Sequence, residues 1–220
     1  PMSLDIAKVE APARVVDDVS ECDFYHSMDI PGHGSVEGQW DLRNTLSAYL
    51  GGVGLAGKRV LELGTADGYI TIEIERQGAE VVSYDLSPDH RWDVVPYARP
   101  ALSSARTADP GHWLTTEERF KQGIARLNNA YWLGHRAHGS KARVVHGDVY
   151  SVPEEVGEVD VALFGAILLH TRDPFAALLD EPDRAADRRL GRDVADHQAV
   201  RPAGETAVGD ERDRIAEPFA

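Results

Sequence analysis

The 220-residue sequence predicts an α/β fold with a doubly wound, mostly parallel sheet. Four short apolar segments are typical of buried strands, and they cover residues 58–63, 80–85, 142–146 and 159–164. The first two are joined by a glycine-rich turn and a helical stretch from Tyr69 to Gln77 that stops at Gly78. A strand, a helix and a strand within 28 residues form a βαβ unit, and such units build parallel sheets.

Composition narrows the class of protein. Hydrophobic residues make up 42% of the chain and charged residues 27%, a balance that supports one globular core. The single cysteine, Cys22, excludes an internal disulfide framework and a multi-cysteine metal site. No apolar run reaches the roughly 18 residues of a membrane span, and residues 1–8 lack the apolar stretch of a secretory signal. We therefore expect a cytoplasmic protein with no membrane segment.

Net charge bears on the partners. Lys and Arg number 23 against 37 Asp and Glu, which gives a formal charge of −14, and no stretch is a cluster of basic residues. Nucleic-acid binders usually carry a basic stripe that neutralises phosphates. The charge therefore argues against a nucleic-acid partner and favours a small-molecule ligand that is cationic or neutral.

The turn after the first strand holds the most informative motif. Gly64, Ala66 and Gly68 are spaced two apart, and Glu62 precedes them by two residues. This spacing differs from G-x-G-x-x-G, the pattern that seats a pyrophosphate, and no cluster of basic residues follows it. Asp85 ends the second strand, where a carboxylate can accept both hydroxyls of a ribose. The pattern predicts a nucleoside cofactor without a pyrophosphate.

Residues 24–180 resemble the class I S-adenosylmethionine-dependent methyltransferases, which have a Rossmann-like fold. The resemblance implies S-adenosyl-L-methionine as cofactor, a glycine loop around its methionine part, and Asp85 at its ribose. Gly147-Asp148-Val149 follows the third strand, where that family flanks the adenine, and Phe164-Gly165-Ala166 follows the fourth, beside the sulfonium methyl. The cofactor residues implied in this way are Glu62, Gly64, Thr65, Ala66, Gly68, Asp85, Leu86, Asp148, Val149 and Gly165.

A looser resemblance concerns residues 24–57, which we expect to form an N-terminal lid with a helix. The runs Y-H-S-M-D-I-P-G from Tyr25 and G-Q-W-D-L-R from Gly38 are similar to the group related to wobble-uridine tRNA modification methyltransferases. That group implies a place for Trp40 near the sulfonium, where an aromatic face attracts a cation. The alternative is that Trp40 packs in the core. Tyr25 and His26 of the same motif become substrate-contact candidates.

The segment 86–141 is far longer than one crossover helix requires, so we expect a substrate-facing insertion. Its substrate-contact candidates are Trp92, His112 and Trp113. A helix is expected to start near Thr115–Glu118, and its periodic apolar residues are better explained by core packing than by substrate contact.

Methyl transfer to a hydroxyl needs a general base, and His170, after the fourth strand, is the catalytic candidate. His26, His112 and His135 are alternatives, and a carbon or sulfur nucleophile needs none of them. There is no H-E-x-x-H motif, and His135 with His138 is a thin basis for a metal site, so we expect no metal.

The last forty residues differ from the body at 1–180. Thirty-one of the positions 181–220 are Ala, Arg, Asp, Glu, Gly or Pro, the bias of a GC-rich gene read out of frame. We expect a disordered or frameshifted tail, which would leave a class I sheet with missing or distorted C-terminal strands. Three hypotheses stay open: a small-molecule methyltransferase, an RNA-modifying methyl or carboxymethyl transferase, and an inactive methyltransferase-like protein.

Overall fold

A computed structural model describes residues 5–90 and 116–179 of the chain. A two-stranded antiparallel hairpin comes first, with β1 at Met28–Ile30 and β2 at Gly34–Val36, and a short helix α1 follows at Leu46–Tyr49. The other elements are β3 (Arg59–Leu63), α2 (Tyr69–Arg76), β4 (Glu80–Asp85), α3 (Thr116–His138), β5 (Arg143–His146), β6 (Val161–Phe164) and α4 (Pro174–Leu179). Short 3-10 helices lie at Ile6–Lys8, Val19–Glu21, Glu154–Val156 and Leu168–His170.

Strands β3 to β6 form one sheet in which every neighbouring pair is parallel. Their order is β5-β4-β3-β6, so the chain moves outward on one side of β3 and then returns to its other side. The prediction of an α/β fold with a parallel sheet is thereby confirmed. The reversal of strand order lies between β3 and β6, and open α/β sheets bind ligands at the carboxyl ends of the strands beside such a point.

Successive side chains along each strand point to opposite faces of the sheet, and both faces are buried. Val60, Val81 and Val144 point to the face covered by α2 and α3. Leu61 and Val145 point to the opposite face, where Ile6 and Val156 belong to the same cluster. The strands are therefore mostly apolar on both faces, as expected for parallel strands covered on both sides, with Glu62 and Ser83 as buried polar exceptions.

The N-terminal segment covers the outer edge of β5 and one side of α3. The amide of Ala11 donates to the carbonyl of Val144 at 2.7 Å, and Arg143 binds Glu10 at 2.8 Å. Farther along, Arg126 of α3 binds Asp23 at 2.8 Å. Arginine side chains on this side of the molecule are thus neutralised by acids of the N-terminal segment.

Each of the four predicted strands is present, with bounds within two residues of those expected, and α2 ends one residue before its predicted end. The described part of α3 begins at Thr116, close to its predicted start. The tail at 181–220 lies outside the described residues, so the hypothesis about its reading frame stays a prediction. No described helix combines the length and the apolar character that crossing a membrane requires.

Candidate functional site

Two loops flank the point where strand order reverses: the loop 64–68 after β3 and the loop 165–170 after β6. They touch through Ile167, since a Cβ built on Gly64 would lie 2.9 Å from Ile167 Cδ1. Gly64 has a φ of 78°, a left-handed conformation that favours glycine. Glycine is therefore required at position 64 both by its backbone conformation and by the close approach of the second loop.

The rest of the loop 64–68 is equally constrained. Ala66 and Gly68 have φ values of 50° and 79°, and a Cβ on Gly68 would lie 2.7 Å from the ring of Tyr131 on α3. Ala66 therefore occupies a left-handed position at a cost that glycine would avoid. Strain of this kind is often kept at functional sites.

The carboxylate of Asp85 holds this loop against the end of β4. One carboxylate oxygen accepts the amide hydrogen of Ala66 at 2.7 Å and faces the hydroxyl of Thr65 at 3.4 Å. The other accepts the amide hydrogen of Leu86 at 2.7 Å. Burial raises the pKa of Asp85, and the hydrogen bonds from Leu86, Ala66 and Thr65 oppose that rise. A carboxylate offers about four acceptor positions, so the side chain can still take a hydroxyl donor from a ligand.

Asp67, which the sequence reading did not single out, connects the same loop to the N-terminal hairpin. Its carboxylate is fully buried and accepts two hydrogen bonds from His26, one from the backbone amide at 2.6 Å and one from Nδ1 at 2.9 Å. The ring of His26 lies 4.9 Å from that of Tyr25 and 5.5 Å from that of Tyr69. The structure therefore brings the predicted substrate candidates Tyr25 and His26 to the glycine loop. No local sequence signal pairs residues 41 positions apart.

Trp40 lies beside this pair on the hairpin. Its amide donates to Tyr25 at 3.0 Å, and its carbonyl accepts from Ser27 at 2.8 Å. The residue is 54% exposed, so the alternative that Trp40 packs in the core is wrong. Its proximity to a sulfonium stays a prediction.

Glu62 lies inside the protein, beneath the glycine loop. The residue is buried on the helix-covered face, where the hydroxyl of Thr71 contacts its carboxylate. Thr71 is 3.0 Å from Ser83 Oγ, which in turn accepts the hydroxyl hydrogen of Tyr131 at 2.8 Å. Burial, above all, raises the pKa of Glu62 to about 8. Glu62 thus supports the loop from within, and a direct contact with the cofactor stays a prediction.

The residues predicted after β5 lie on the other side of the sheet. The hydroxyl of Tyr84 donates to the carbonyl of Asp148 at 2.8 Å, and a Cβ on Gly147 would overlap that hydroxyl. The Asp148 side chain is exposed and accepts the amide hydrogen of Tyr150 at 2.8 Å, while Val149 packs against the core opposite the helices. Their predicted place beside an adenine is not tested by these contacts.

The loop after β6 holds the remaining described candidates. A Cβ on Gly165 would lie 3.6 Å from the hydroxyl of Tyr49, which places a phenol at the reversal point. His170 ends the 3-10 helix on an exposed turn, and desolvation lowers the pKa of its imidazole. Its role as a base stays a prediction. Trp92, His112 and Trp113 lie outside the described residues.

No family model, curated protein or solved structure matches this chain.

The interpretation of the site therefore rests on the geometry of this chain alone. Within residues 5–90 and 116–179, no group of His, Cys, Asp and Glu side chains is arranged to hold a metal ion. His135 Nε2 is 3.0 Å from the carbonyl of Ala142, and His138 Nδ1 is 2.9 Å from the Arg76 guanidinium. These two histidines lie one turn apart on α3, and each contacts a different hydrogen-bonding partner.

Proposed function

We propose that this chain binds S-adenosyl-L-methionine at the carboxyl edge of the sheet and transfers its methyl group to a small-molecule acceptor. The supporting observation is the Asp85 carboxylate, which joins the left-handed glycine loop to the end of the adjacent strand beside the reversal of strand order. This arrangement presents one partly buried acceptor next to closely packed backbone. It suits a nucleoside that donates hydrogen bonds from its hydroxyls and carries no phosphate.

The residues present fit that cofactor. A side chain at Gly64 would meet Ile167, so the absence of a Cβ there lets the two loops lie in contact beside Asp85. Neither the loop 64–68 nor the strand end at Asp85 carries a basic residue, as expected for a ligand without phosphate. In this class I-like arrangement Gly64, Thr65 and Ala66 would hold the methionine part, and Asp85 would hold the ribose.

The cofactor, when bound, supplies a methyl group on a sulfonium that is already activated. The work left to the chain is to orient the acceptor and exclude water, and orientation can lower such barriers by roughly 7–11 kcal/mol. Tyr49 lies beside Gly165 at the reversal point, and Tyr25 contacts His26, which binds the loop 64–68, so both can supply aromatic surface for a small acceptor. Desolvation lowers the pKa of His170, which favours the neutral imidazole, the form that accepts a proton.

The charge pattern of the described residues favours a small acceptor over RNA. Arg126, Arg136 and Arg143 line one side of the molecule, and each forms an ion pair with an acid of the N-terminal segment. An RNA-binding face would instead present such groups to phosphates.

The test is isothermal titration of the full chain with S-adenosylmethionine and with its demethylated product, S-adenosylhomocysteine. We expect saturable binding with one site per chain. Absence of binding at millimolar ligand would overturn the proposal. An affinity for tRNA that falls steeply with salt would favour the RNA-modifying alternative.

A further inference from the structure

Asn128 occupies an unusual position at the carboxyl edge of the sheet. It lies on α3, is 5% exposed, and its side-chain Nδ2 donates to the carbonyl of Leu86 at 3.2 Å. This bond fixes the amide orientation, because the flipped amide would place Oδ1 against another acceptor. Asn128 therefore stands opposite the residue that follows β4.

Its Oδ1 atom is buried and accepts no hydrogen bond from the residues that the structure describes. Buried side-chain acceptors in folded proteins nearly always have a donor, so an orphan of this kind points to a ligand or an ordered water. Among the described side chains that are not exposed, this oxygen is the one buried nitrogen or oxygen without a partner.

The neighbourhood indicates what the missing donor belongs to. The amide of Leu86 donates to Asp85, and the carbonyl of Leu86 accepts from Asn128. The Asp85 carboxylate, as an acceptor, and the Asn128 amide, as a donor, thus bracket Leu86 at the strand end that the proposed function assigns to a nucleoside. From Asn128, α3 runs twelve residues back to Thr116, or about 18 Å of helix.

The next residue shows that the orphan is specific to this position. Asn129 Nδ2 donates to the carbonyl of Glu21 at 2.9 Å, and Asn129 Oδ1 accepts from Arg14 at 2.6 Å. Both polar atoms of that amide have partners in the N-terminal segment. Asn129 is therefore a matched control for Asn128, with the same side chain one position along the helix.

We propose that the Asn128 amide oxygen accepts a hydrogen bond from the nucleoside part of the cofactor, as a second acceptor beside Asp85. The inference rests on the proposed function. The donor is a ribose hydroxyl or the exocyclic amine of adenine, the donors that the nucleoside offers. Asn128 is thus a specificity-determining residue for the nucleoside.

The first experiment titrates S-adenosylhomocysteine into wild type, Asn128→Leu and Asn129→Leu. We expect Asn128→Leu to weaken binding about tenfold, equivalent to ~1.4 kcal/mol, and Asn129→Leu to change affinity less than about twofold. Equal affinity of wild type and Asn128→Leu would overturn the inference and leave the proposed function standing. No binding by wild type would overturn both.

A second measurement uses ratios of affinities, which do not depend on the folded fraction of each variant. Adenosine is compared with purine riboside, which lacks the amine, and with 2′-deoxyadenosine and 3′-deoxyadenosine. Wild type should discriminate against the analogue that lacks the donor to Asn128, and Asn128→Leu should lose that discrimination. The same ratios in both proteins would overturn the inference.

Thermal unfolding separates this role from a purely structural one. Asn128→Leu removes the unpaired Oδ1 but also the Nδ2 donor to the Leu86 carbonyl, so we expect a lower melting temperature together with weaker binding. A lower melting temperature combined with unchanged affinity for S-adenosylhomocysteine would show that Asn128 only holds Leu86 in place.

Discussion

The two loops at the reversal of strand order differ in how they are held. The loop 64–68 is bound from two sides, by Asp85 of the adjacent strand and through Asp67 by His26 of the hairpin. In the loop 165–170, the backbone amide of His170 donates to the carbonyl of Ile167 within the same loop, and Leu169 is 65% exposed. One loop is built into the core, whereas the other presents much of its surface to solvent.

This difference teaches how the site divides its tasks. Preorganised groups bind a fixed ligand with little ordering cost, while exposed loops accommodate varied partners. In the proposed methyltransferase, the constrained loop suits the invariant cofactor and the exposed loop suits the acceptor. Variants that break the two ties of the constrained loop test that division.

The largest effect is expected from Asp67→Asn. The new amide group would face the His26 donors with hydrogens of its own and leave a buried group unpaired, so the free energy of unfolding should fall by about 3 kcal/mol. Urea denaturation measures this free energy of unfolding. Asp41→Asn is the control, because the Asp41–Arg43 pair is exposed, and it should leave stability close to wild type. Equal stability of the Asp67 and Asp41 variants would show that the tie to the hairpin contributes nothing.

Asp85→Ala tests the other tie. Removal of the carboxylate should weaken S-adenosylmethionine binding by about 1.5–3 kcal/mol, the range for hydrogen bonds to a charged group. Glu80→Ala should weaken binding much less, because Glu80 lies at the opposite end of β4, away from the loop 64–68. Calorimetric titration of both variants measures the contrast. An Asp85→Ala protein with unchanged affinity would refute the ribose role.

Glu62 predicts a pH dependence of stability. Its pKa rises from an ordinary value of 4.5 to about 8 in the folded protein, so the folded state keeps a proton that the unfolded chain releases. The stabilising effect of this protonation is complete below pH 4.5 and is lost as pH rises toward 8, by up to ~1.4 kcal/mol per pH unit. Denaturation at pH 5, 6, 7 and 8 should show a shallower decline for Glu62→Gln. The exposed Glu80→Gln is the control, and identical slopes for wild type and Glu62→Gln would contradict the prediction.

The smallest effects concern the left-handed alanines, one in each loop. Ala66 and Ala166 have φ values of 50° and 55°, which glycine adopts without the strain of a Cβ. We expect Ala66→Gly and Ala166→Gly to stabilise the protein by up to ~1 kcal/mol each, as measured by thermal unfolding. A loss of stability in either variant would mean that the alanine methyl packs favourably enough to outweigh the strain.

The parts of the fold that were predictable from sequence depend on local patterns. Strand β4 matches its predicted bounds because an apolar run there is enclosed by Gly78 and Asp85. Gly64 and Gly68 were identifiable because turn residues follow a strand at fixed spacing. Both kinds of signal lie within about ten residues.

The parts that were missed depend on tertiary contact. Asp67 was an ordinary turn residue in the sequence, and only the fold places it against His26. Asn128 sits on an amphipathic helix, where sequence alone does not separate a buried polar position from a surface one. Glu62 was predicted as a cofactor residue from its place in the motif; only the fold shows its side chain beside Thr71 in the interior, and its contact with the cofactor stays a prediction.

The most direct test of the central claim is a crystal structure of the protein grown with S-adenosylhomocysteine. We predict ligand density along the loop 64–68, with a ribose hydroxyl within hydrogen-bonding distance of the Asp85 carboxylate. Density for the ligand elsewhere on the protein, or an empty loop at saturating ligand, would contradict the assignment of this loop to the cofactor.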